Sequence, residues 1–74
     1  MIQIYTKKNC VACKMSKKWL SNNGIEYHEN NVDEDLDAFN YLLTNNLRTL
    51  PVVFSDSELI AMGFQPHKLK TLLN

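Results

Sequence analysis

The sequence predicts an α/β protein in which a mixed sheet of four strands carries helices on both faces. Short apolar runs alternate along the chain with longer segments of helical periodicity. Glycine or proline stands at several of the junctions between these segments. The last two apolar runs are separated only by turn-forming residues, which predicts an antiparallel hairpin. The expected order of elements is β-α-β-α-β-β-α.

The first half of the chain predicts a parallel β-α-β unit with a right-handed crossover. Residues 2–5 have apolar side chains on both sides, as a central buried strand requires. The next segment is helical in its spacing and ends near Gly24, which suits a left-handed cap. The residues expected on its buried side are Val11, Met15, Trp19 and Leu20. Residues 25–32 alternate in a polar context, so we expect a strand near the sheet edge.

The second half predicts a helix, a hairpin and a last helix. Asp33 is the expected N-cap of the middle helix. The residues expected on the buried side of that helix are Leu36, Phe39, Leu42, Leu43 and Leu47. Residues 52–54 and 59–62 are the expected strands of the hairpin. Gly63 ends the second strand, and Pro66 suits the first turn of the last helix.

Cys10 and Cys13 follow the first strand and a short polar loop, with Val11 and Ala12 between them. Thiol–disulfide exchange needs two cysteines at this spacing. A helix that begins at Cys10 directs its unpaired N–H groups and positive dipole end at that sulfur, which favours the thiolate. We therefore expect Cys10 to be the exposed nucleophile, with a pKa near ~7. Cys13, one turn further on, is expected to be the shielded resolving thiol.

Metal binding and an inert buried pair are the alternatives for these two cysteines. Zinc normally takes four ligands. The only further candidates are His28 and His67, and neither lies at the spacing of a zinc finger. The sequence thus favours a reversible Cys10–Cys13 disulfide with no bound cofactor or metal, and a zinc or iron–sulfur module is the alternative from a different class.

Composition bounds the class of protein. The expected organisation is one small domain over residues 1–74, and a chain this short buries only roughly 60–65% of its unfolded surface. The formal net charge is zero and no basic run is interleaved with aromatic residues, which argues against nucleic-acid binding. No stretch approaches the ~20 apolar residues of a membrane span, and no signal-peptide pattern is present. We expect a cytoplasmic monomer, and cysteine pairs in the cytoplasm are more often catalytic or metal-binding than structural.

Charge is unevenly distributed along the chain. Five lysines lie in the first quarter, namely Lys7, Lys8, Lys14, Lys17 and Lys18. Acidic residues dominate the middle. Either these are two solvated surfaces, or the lysines surround the cysteines and favour anionic partners.

The segment Thr49-Leu50-Pro51 is a candidate for partner binding. A trans bond in a plain turn is one interpretation, since cis bonds are a minority before proline. A cis Leu50–Pro51 bond would instead turn the chain sharply beside Cys10. The Leu50 N–H and C=O would then be free to pair with an extended segment of a partner.

The segment Gly63-Phe64-Gln65-Pro66 is the other candidate. It is either only a strand end, a turn and a helix start, or a loop beside the cysteines where Gly63 lets a partner backbone approach. Phe64 belongs to the core or to an exposed apolar patch.

Together these motifs resemble the thioredoxin superfamily, and in detail the small glutaredoxin-like NrdH-redoxins. The resemblance spans the whole chain. Its specific parts are Cys10-Val11-Ala12-Cys13-Lys14-Met15, the run from Gly24-Ile25-Glu26-Tyr27 to Asn31-Val32-Asp33, Leu50-Pro51-Val52-Val53 and Gly63-Phe64-Gln65-Pro66. The family usually has Cys-Val-Gln-Cys or Cys-Met-Gln-Cys and Gly-Phe-Arg-Pro, from which Ala12 and Gln65 depart.

The resemblance to glutathione-dependent glutaredoxins is weaker. Those proteins carry Cys-Pro-Tyr-Cys and a Gly-Gly loop followed by an acidic residue that holds glutathione. This chain has Ala61-Met62-Gly63-Phe64 at the loop and His67 near the acidic position. Only Lys7 and Thr49-Leu50-Pro51 match the glutathione-binding set. A glutathione-dependent glutaredoxin is therefore the alternative with the same fold.

The resemblance implies a thioredoxin/glutaredoxin fold and two protein partners. One partner supplies electrons to the disulfide, and the other receives them. Electrons are expected to come from NADPH through a flavoprotein thioredoxin reductase. The expected client is the large subunit of class Ib ribonucleotide reductase. The residues expected to contact these partners are Lys7, Val11, Ala12, Thr49, Leu50, Pro51, Gly63 and Phe64.

Overall fold

The structure is a computed structural model that describes residues 1–73. Over these residues the elements follow the predicted order, with a 3-10 turn added at the end. The strands are β1 (Ile2–Thr6), β2 (Tyr27–Asn31), β3 (Val52–Ser55) and β4 (Glu58–Met62). The helices are α1 (Val11–Asn22), α2 (Leu36–Thr44) and α3 (Pro66–Leu69), and the 3-10 turn is Lys70–Leu72.

The strands form one mixed sheet in the order β2-β1-β3-β4. Strand β1 lies inside the sheet, parallel to β2 and antiparallel to β3. The predicted central position of the first strand and edge position of the second are confirmed. Strand β2 begins later than predicted, because the Ile25 N–H instead closes the end of α1 on the Leu20 carbonyl at 2.9 Å.

Two apolar clusters fill the two faces of the sheet. The cluster under α1 and α3 contains Ile4, Leu20, Val53, Ala61 and Leu69. The cluster under α2 contains Leu42, Val52 and Phe54. Successive residues of a strand point to opposite faces, so Val52 and Val53, both fully buried, belong to different clusters. We refer to the two sides as the α1/α3 face and the α2 face.

The buried side of α1 differs from the predicted one. Its buried residues are Cys13, Ser16 and Leu20. Val11 and Met15, which were expected to be buried, are 70% and 46% exposed. The prediction was wrong because the inward positions are filled by a small thiol and a small hydroxyl, which carry little hydrophobic signal.

Helix α2 is also less buried than predicted. Ala38 and Leu42 are its buried residues. Leu36, Phe39 and Leu43 were expected inside but are 69%, 43% and 52% exposed. Ala38 and Leu42, four positions apart, take the side of α2 that packs on the sheet, so Leu36, Phe39 and Leu43 lie together on a neighbouring side that is left exposed. No helix within residues 1–73 has the length and apolar character needed to traverse a lipid bilayer.

The N-cap of α2 is Asp35 rather than Asp33. The Asp35 carboxylate accepts the N–H groups of Asp37 and Ala38 at 3.0 and 3.2 Å. Asp33 instead accepts the Lys8 N–H at 2.8 Å. The Asp33 carboxylate thus joins the turn before α2 to the loop before Cys10. Asp33 is therefore not available as a cap, and the helix begins later than predicted.

Candidate active site at the start of helix α1

Cys10 is the N-cap of α1. Its backbone is extended, with φ −108° and ψ 106°, and its carbonyl accepts the Lys14 N–H at 3.1 Å. Its sulfur accepts the Cys13 N–H, also at 3.1 Å. This capping role normally falls to Ser, Thr, Asp or Asn. The helix therefore begins where the sequence predicts, and a free N–H group of its first turn points at the first sulfur.

The sulfurs of Cys10 and Cys13 are joined in a disulfide, and the two Cα atoms lie 5.2 Å apart. Cys10 is 9% exposed and Cys13 is 1% exposed. Cys10 is thus the more accessible of the two, as expected, but it is far less exposed than predicted. Its sulfur turns back over the first turn of α1, where it is bonded to Cys13 and capped by the Cys13 N–H. An incoming thiol therefore has access to this disulfide only from the Cys10 side.

The Leu50–Pro51 peptide bond is cis. Pro51 is buried, and its carbonyl accepts the Gly63 N–H at 2.7 Å. Tyr5 lies opposite Val52 in the β1–β3 ladder, so Leu50 and Pro51 lie at the same end of the sheet as the loop before Cys10. Within residues 1–73 no hydrogen bond involves the Leu50 N–H or C=O. A backbone edge available for pairing thus lies at the end of the sheet that holds the cysteines.

Gly63 has a positive φ of 78°, a conformation that strains residues with side chains. A Cβ atom at Gly63 would lie 3.7 Å from the Thr49 methyl group, so these two residues are neighbours. The Gln65 side chain closes the turn by accepting the Met62 N–H at 3.0 Å. The structure thereby brings together Thr49, Pro51 and Gly63, three of the predicted site residues.

The remaining predicted site residues are arranged around these. Phe64 packs against the cluster of the α1/α3 face and also lines a shallow groove along α1, so both interpretations of it hold in part. Val11 and Lys7 are exposed, and Ala12 is half-buried. Within residues 1–73, Lys7 takes part in no ion pair.

A polar bridge that the sequence did not reveal joins β1, β2 and α1. The Thr6 hydroxyl donates to Glu29 Oε2 at 2.6 Å, and Lys17 Nζ donates to the same oxygen at 3.0 Å. The Thr6 hydrogen bond, followed by the bond and charge of Lys17, lowers the pKa of the Glu29 carboxyl. Lys17 is therefore occupied by Glu29, and it does not serve the cysteines as a free cation.

An apolar groove of about 180 Å³ lies between α2 and Leu50. Leu43, Leu47 and Arg48 are among the residues that line it. The groove places apolar surface next to the unpaired backbone groups of Leu50.

As for metals, no group of three or more His, Cys, Asp or Glu side chains within residues 1–73 is placed to hold an ion.

The glutaredoxin family model matches residues 2–60. The glutaredoxin-like protein NrdH of Lactococcus lactis subsp. cremoris is 38% identical over 72 residues, which cover 97% of this chain and 99% of the relative. The NrdH protein of Escherichia coli K12 is 35% identical over 71 residues, which cover 96% and 86%. The chain belongs to the glutaredoxin family, as an NrdH-type member.

Solved structures agree with this assignment to the NrdH-type redoxins. The NrdH-redoxin from Escherichia coli matches with a TM-score of 0.90 at 33% identity, over 99% of this chain and 95% of that one. The thioredoxin-like protein BC3987 matches with a TM-score of 0.88 at 36% identity, over 99% and 100%. The predicted thioredoxin/glutaredoxin fold is confirmed. An NrdH-type redoxin with a Cys-X-X-Cys pair is a thiol–disulfide oxidoreductase, and Cys10 and Cys13 form its redox disulfide.

Proposed function

We propose that this redoxin carries electrons from NADPH, through a flavoprotein thioredoxin reductase, to the large subunit of a class Ib ribonucleotide reductase. It does so as a cytoplasmic monomer whose residues 1–74 form a single domain without a bound cofactor. Two observations carry the proposal: the Cys10 sulfur caps α1 through the Cys13 N–H at 3.1 Å, and Cys10 is the more exposed residue of the pair. In such an environment a thiolate is stabilised and can attack a disulfide.

The reaction proceeds in two exchanges. The Cys10 thiolate attacks one sulfur of the client disulfide, and the other client sulfur leaves as a thiolate that takes up a proton. Cys13 then gives up its proton and attacks the Cys10 sulfur, which re-forms the Cys10–Cys13 disulfide and releases the second client thiol. Two electrons pass from the redoxin to the client, and the reductase later returns two.

The client segment pairs with the backbone of Leu50 in an extended conformation. Support comes from the unpaired Leu50 N–H and C=O at the end of the sheet that holds the cysteines. The residues assigned to the surrounding rim are Lys7, Val11, Ala12, Thr49, Pro51, Gly63 and Phe64. The missing side chain at Gly63 leaves room for the partner backbone, and the exposed Val11 supplies apolar contact beside Cys10.

The choice of reductase rests on the NrdH relatives. The Escherichia coli NrdH-redoxin is described as a glutaredoxin-like protein with a thioredoxin-like activity profile. The present chain also has a glutaredoxin fold without the glutathione-dependent motifs. It has Val11 and Ala12 between its cysteines and Met62 before the loop glycine.

The test supplies the redoxin with NADPH, a protein disulfide substrate and one of two electron sources. One source is thioredoxin reductase, and the other is glutathione with glutathione reductase. We expect NADPH oxidation with the first source, and none above background in either assay for the Cys10→Ser control. Turnover with the glutathione source alone would overturn the proposal in favour of a glutathione-dependent glutaredoxin.

Cys13→Ser tests the roles of the two sulfurs. Without the resolving thiol, the second exchange cannot occur. We therefore expect a mixed disulfide between Cys10 and the large subunit to accumulate. Non-reducing electrophoresis and peptide mass mapping measure it. The matched variant Cys10→Ser is expected to trap nothing, and trapping through Cys13 in that variant would show that the roles are reversed.

A further inference from the structure

The buried side of α1 contains a hydroxyl that is unpaired while the disulfide is closed. Ser16 is 0% exposed. Within residues 1–73, its Oγ is the one buried side-chain polar atom that has no hydrogen-bond partner. Serine inside a helix commonly bonds to a carbonyl of the preceding turn, and Ser16 does not. A buried hydroxyl without a partner is unfavourable, so its presence here needs a cause.

The sulfur of Cys13 is a candidate partner for this hydroxyl. Ser16 follows Cys13 by one helical turn, and both belong to the buried side of α1. Side chains three positions apart on a helix have Cβ atoms about 5–6 Å apart. Helical side chains also lean toward the N-terminus, the direction in which Cys13 lies, and no hydrogen bond joins the Ser16 hydroxyl to the Cys13 sulfur while the disulfide is closed.

No other buried hydroxyl of this layer is available to that sulfur. Thr6 is the other buried polar residue and is 1% exposed. Its hydroxyl proton is already donated to Glu29 at 2.6 Å. Cys13 as a whole is only 1% exposed, so water does not replace a protein donor at its sulfur.

We propose that Ser16 is a positioning residue for the redox reaction, and that its hydroxyl donates a hydrogen bond to the Cys13 sulfur only when the disulfide is open. Reduction breaks the Cys10–Cys13 S–S bond and adds two electrons. These electrons come from a separate dithiol, which is itself oxidised to a disulfide. The sulfurs take up protons from water to the extent that they are thiols rather than thiolates. The Cys13 sulfur then becomes a better acceptor than it is in the disulfide, most of all as a thiolate. This inference rests on the proposed function only in that Cys10 and Cys13 exchange electrons, and it is independent of the reductase and the client.

Ser16 stabilises the dithiol form relative to the disulfide form. Its hydroxyl is unsatisfied in the disulfide form and satisfied in the dithiol form, and this single difference favours reduction. The disulfide is accordingly easier to reduce than it would be with an apolar residue at this position. The same bond stabilises charge on Cys13 as that residue attacks the mixed disulfide.

The primary test is the reduction potential of Ser16→Ala, measured on the full chain. Wild type and variant are equilibrated with mixtures of reduced and oxidised dithiothreitol, and the reduced fraction of each protein is quantified. We expect the equilibrium of the variant to move about tenfold toward the disulfide, which is a potential about 30 mV more negative. Ser21→Ala deletes the same hydroxyl at an exposed position of α1 and is expected to leave the potential unchanged. A shift below about twofold for Ser16→Ala, or an equal shift for Ser21→Ala, would overturn the role.

A second pair of variants separates the hydroxyl from packing. Ser16→Thr and Ser16→Val have nearly the same shape, and only the threonine keeps the donor. We expect the valine variant to be harder to reduce than the threonine variant, again by about tenfold. Equal potentials in this pair would overturn the proposal even if both variants differ from wild type.

Unfolding measurements provide an independent readout. We expect Ser16→Ala to be at least as stable as wild type in the disulfide form and less stable in the dithiol form. An equal change in both forms would identify a purely structural hydroxyl and overturn the inference. A wild-type disulfide that dithiothreitol does not reduce would instead overturn the proposed function, so the two failures are distinguishable.

Discussion

The α1/α3 face of the sheet forms the more closed layer of the protein and the α2 face the more open one, although a shallow groove also runs along α1. On the first face, the largest buried residues are 0% exposed, namely Ile4, Leu20, Val53 and Leu69. On the second face, Leu42 and Phe54 are still 5% and 8% exposed. The outer residues of α2, Phe39 and Leu43, are about half exposed. The same sheet therefore has one tightly packed layer and one thin layer.

The difference separates the precise part of the site from the adaptable part. Cys13 lies on the buried side of α1, so the tightly packed layer fixes the position of the disulfide. Leu50 packs against the cluster of the α2 face and lines its apolar groove. Reactive groups gain from rigid support, while a surface for partner binding tolerates local adjustment. The disulfide thus lies on the closed layer, and the apolar groove beside Leu50 lies on the open one.

The largest effect expected from this division is the loss of chemistry in Cys10→Ser. Serine is a poor nucleophile toward disulfides but a good N-cap. We expect the turnover of a small disulfide substrate to fall to background, with an unfolding free energy close to that of reduced wild type.

The control on the open layer is Leu43→Ala, which is expected to keep full turnover of the same substrate. Activity that survives in Cys10→Ser, or vanishes in Leu43→Ala, would show that the two layers do not divide the work in this way.

Core truncation provides the next largest effect. We expect Leu20→Ala, on the closed layer, to lower the free energy of unfolding by about 4 kcal/mol, because the surrounding residues cannot collapse into the cavity. We expect Leu42→Ala, on the open layer, to cost about 2 kcal/mol, since exposed neighbours can move in.

Urea unfolding of both variants, each with the disulfide intact, measures this contrast. The exposed Leu43→Ala serves as the reference, with a change within ~0.5 kcal/mol. Equal losses for Leu20→Ala and Leu42→Ala would remove the distinction between the layers.

The smallest effect concerns the acid dependence of stability. The Thr6 hydrogen bond and then Lys17 lower the pKa of Glu29 below its ordinary value of 4.5. A carboxyl whose pKa is lower in the folded state stabilises the protein above the unfolded-state value, and that contribution is lost as the pH falls through the folded-state value. The Glu29 side chain is 34% exposed, so solvent screening limits the contribution to about 0.5 kcal/mol.

Glu29→Gln tests this contribution. We expect the variant to be less stable than wild type at neutral pH and to lose less stability than wild type as the pH falls below 4.5. Urea unfolding across that range measures the difference. Glu26→Gln, an exposed substitution outside the bridge, is the control and is expected to follow wild type. Identical pH profiles for Glu29→Gln and wild type would show that the bridge adds nothing.

Most features set by local sequence were predicted correctly, and the N-cap of α2 is the exception. The spacing of Cys10 and Cys13 marked the start of α1, and Gly24 and Pro66 marked the end of α1 and the start of α3. These positions depend on backbone chemistry that operates within one or two turns. The order of the elements along the chain and the parallel pairing of β1 with β2 were also predicted, whereas the antiparallel pairing of β1 with β3 was not.

Features that depend on tertiary contact were not predicted. The inward side of α1 is occupied by Ser16 as well as by Cys13; Cys13 was expected to be shielded, but the small polar side chain of Ser16 gave no hydrophobic signal. The bond between Thr6 and Glu29 joins residues 23 positions apart, and neither residue stands out in the sequence. The roles assigned to the rim residues around Leu50 stay predictions, because they concern a partner.

The edges of the sheet determine how this protein meets its own copies. Strand β2, at one edge, presents His28 and Glu29 to solvent. Strand β4, at the other edge, is paired irregularly with β3, because the register of the two strands shifts between Val53 and Phe54 of β3. Charged side chains and bulges both penalise the addition of a further strand at an edge. We therefore expect concentrated solutions of this chain to resist the edge-to-edge joining of sheets from which fibres grow.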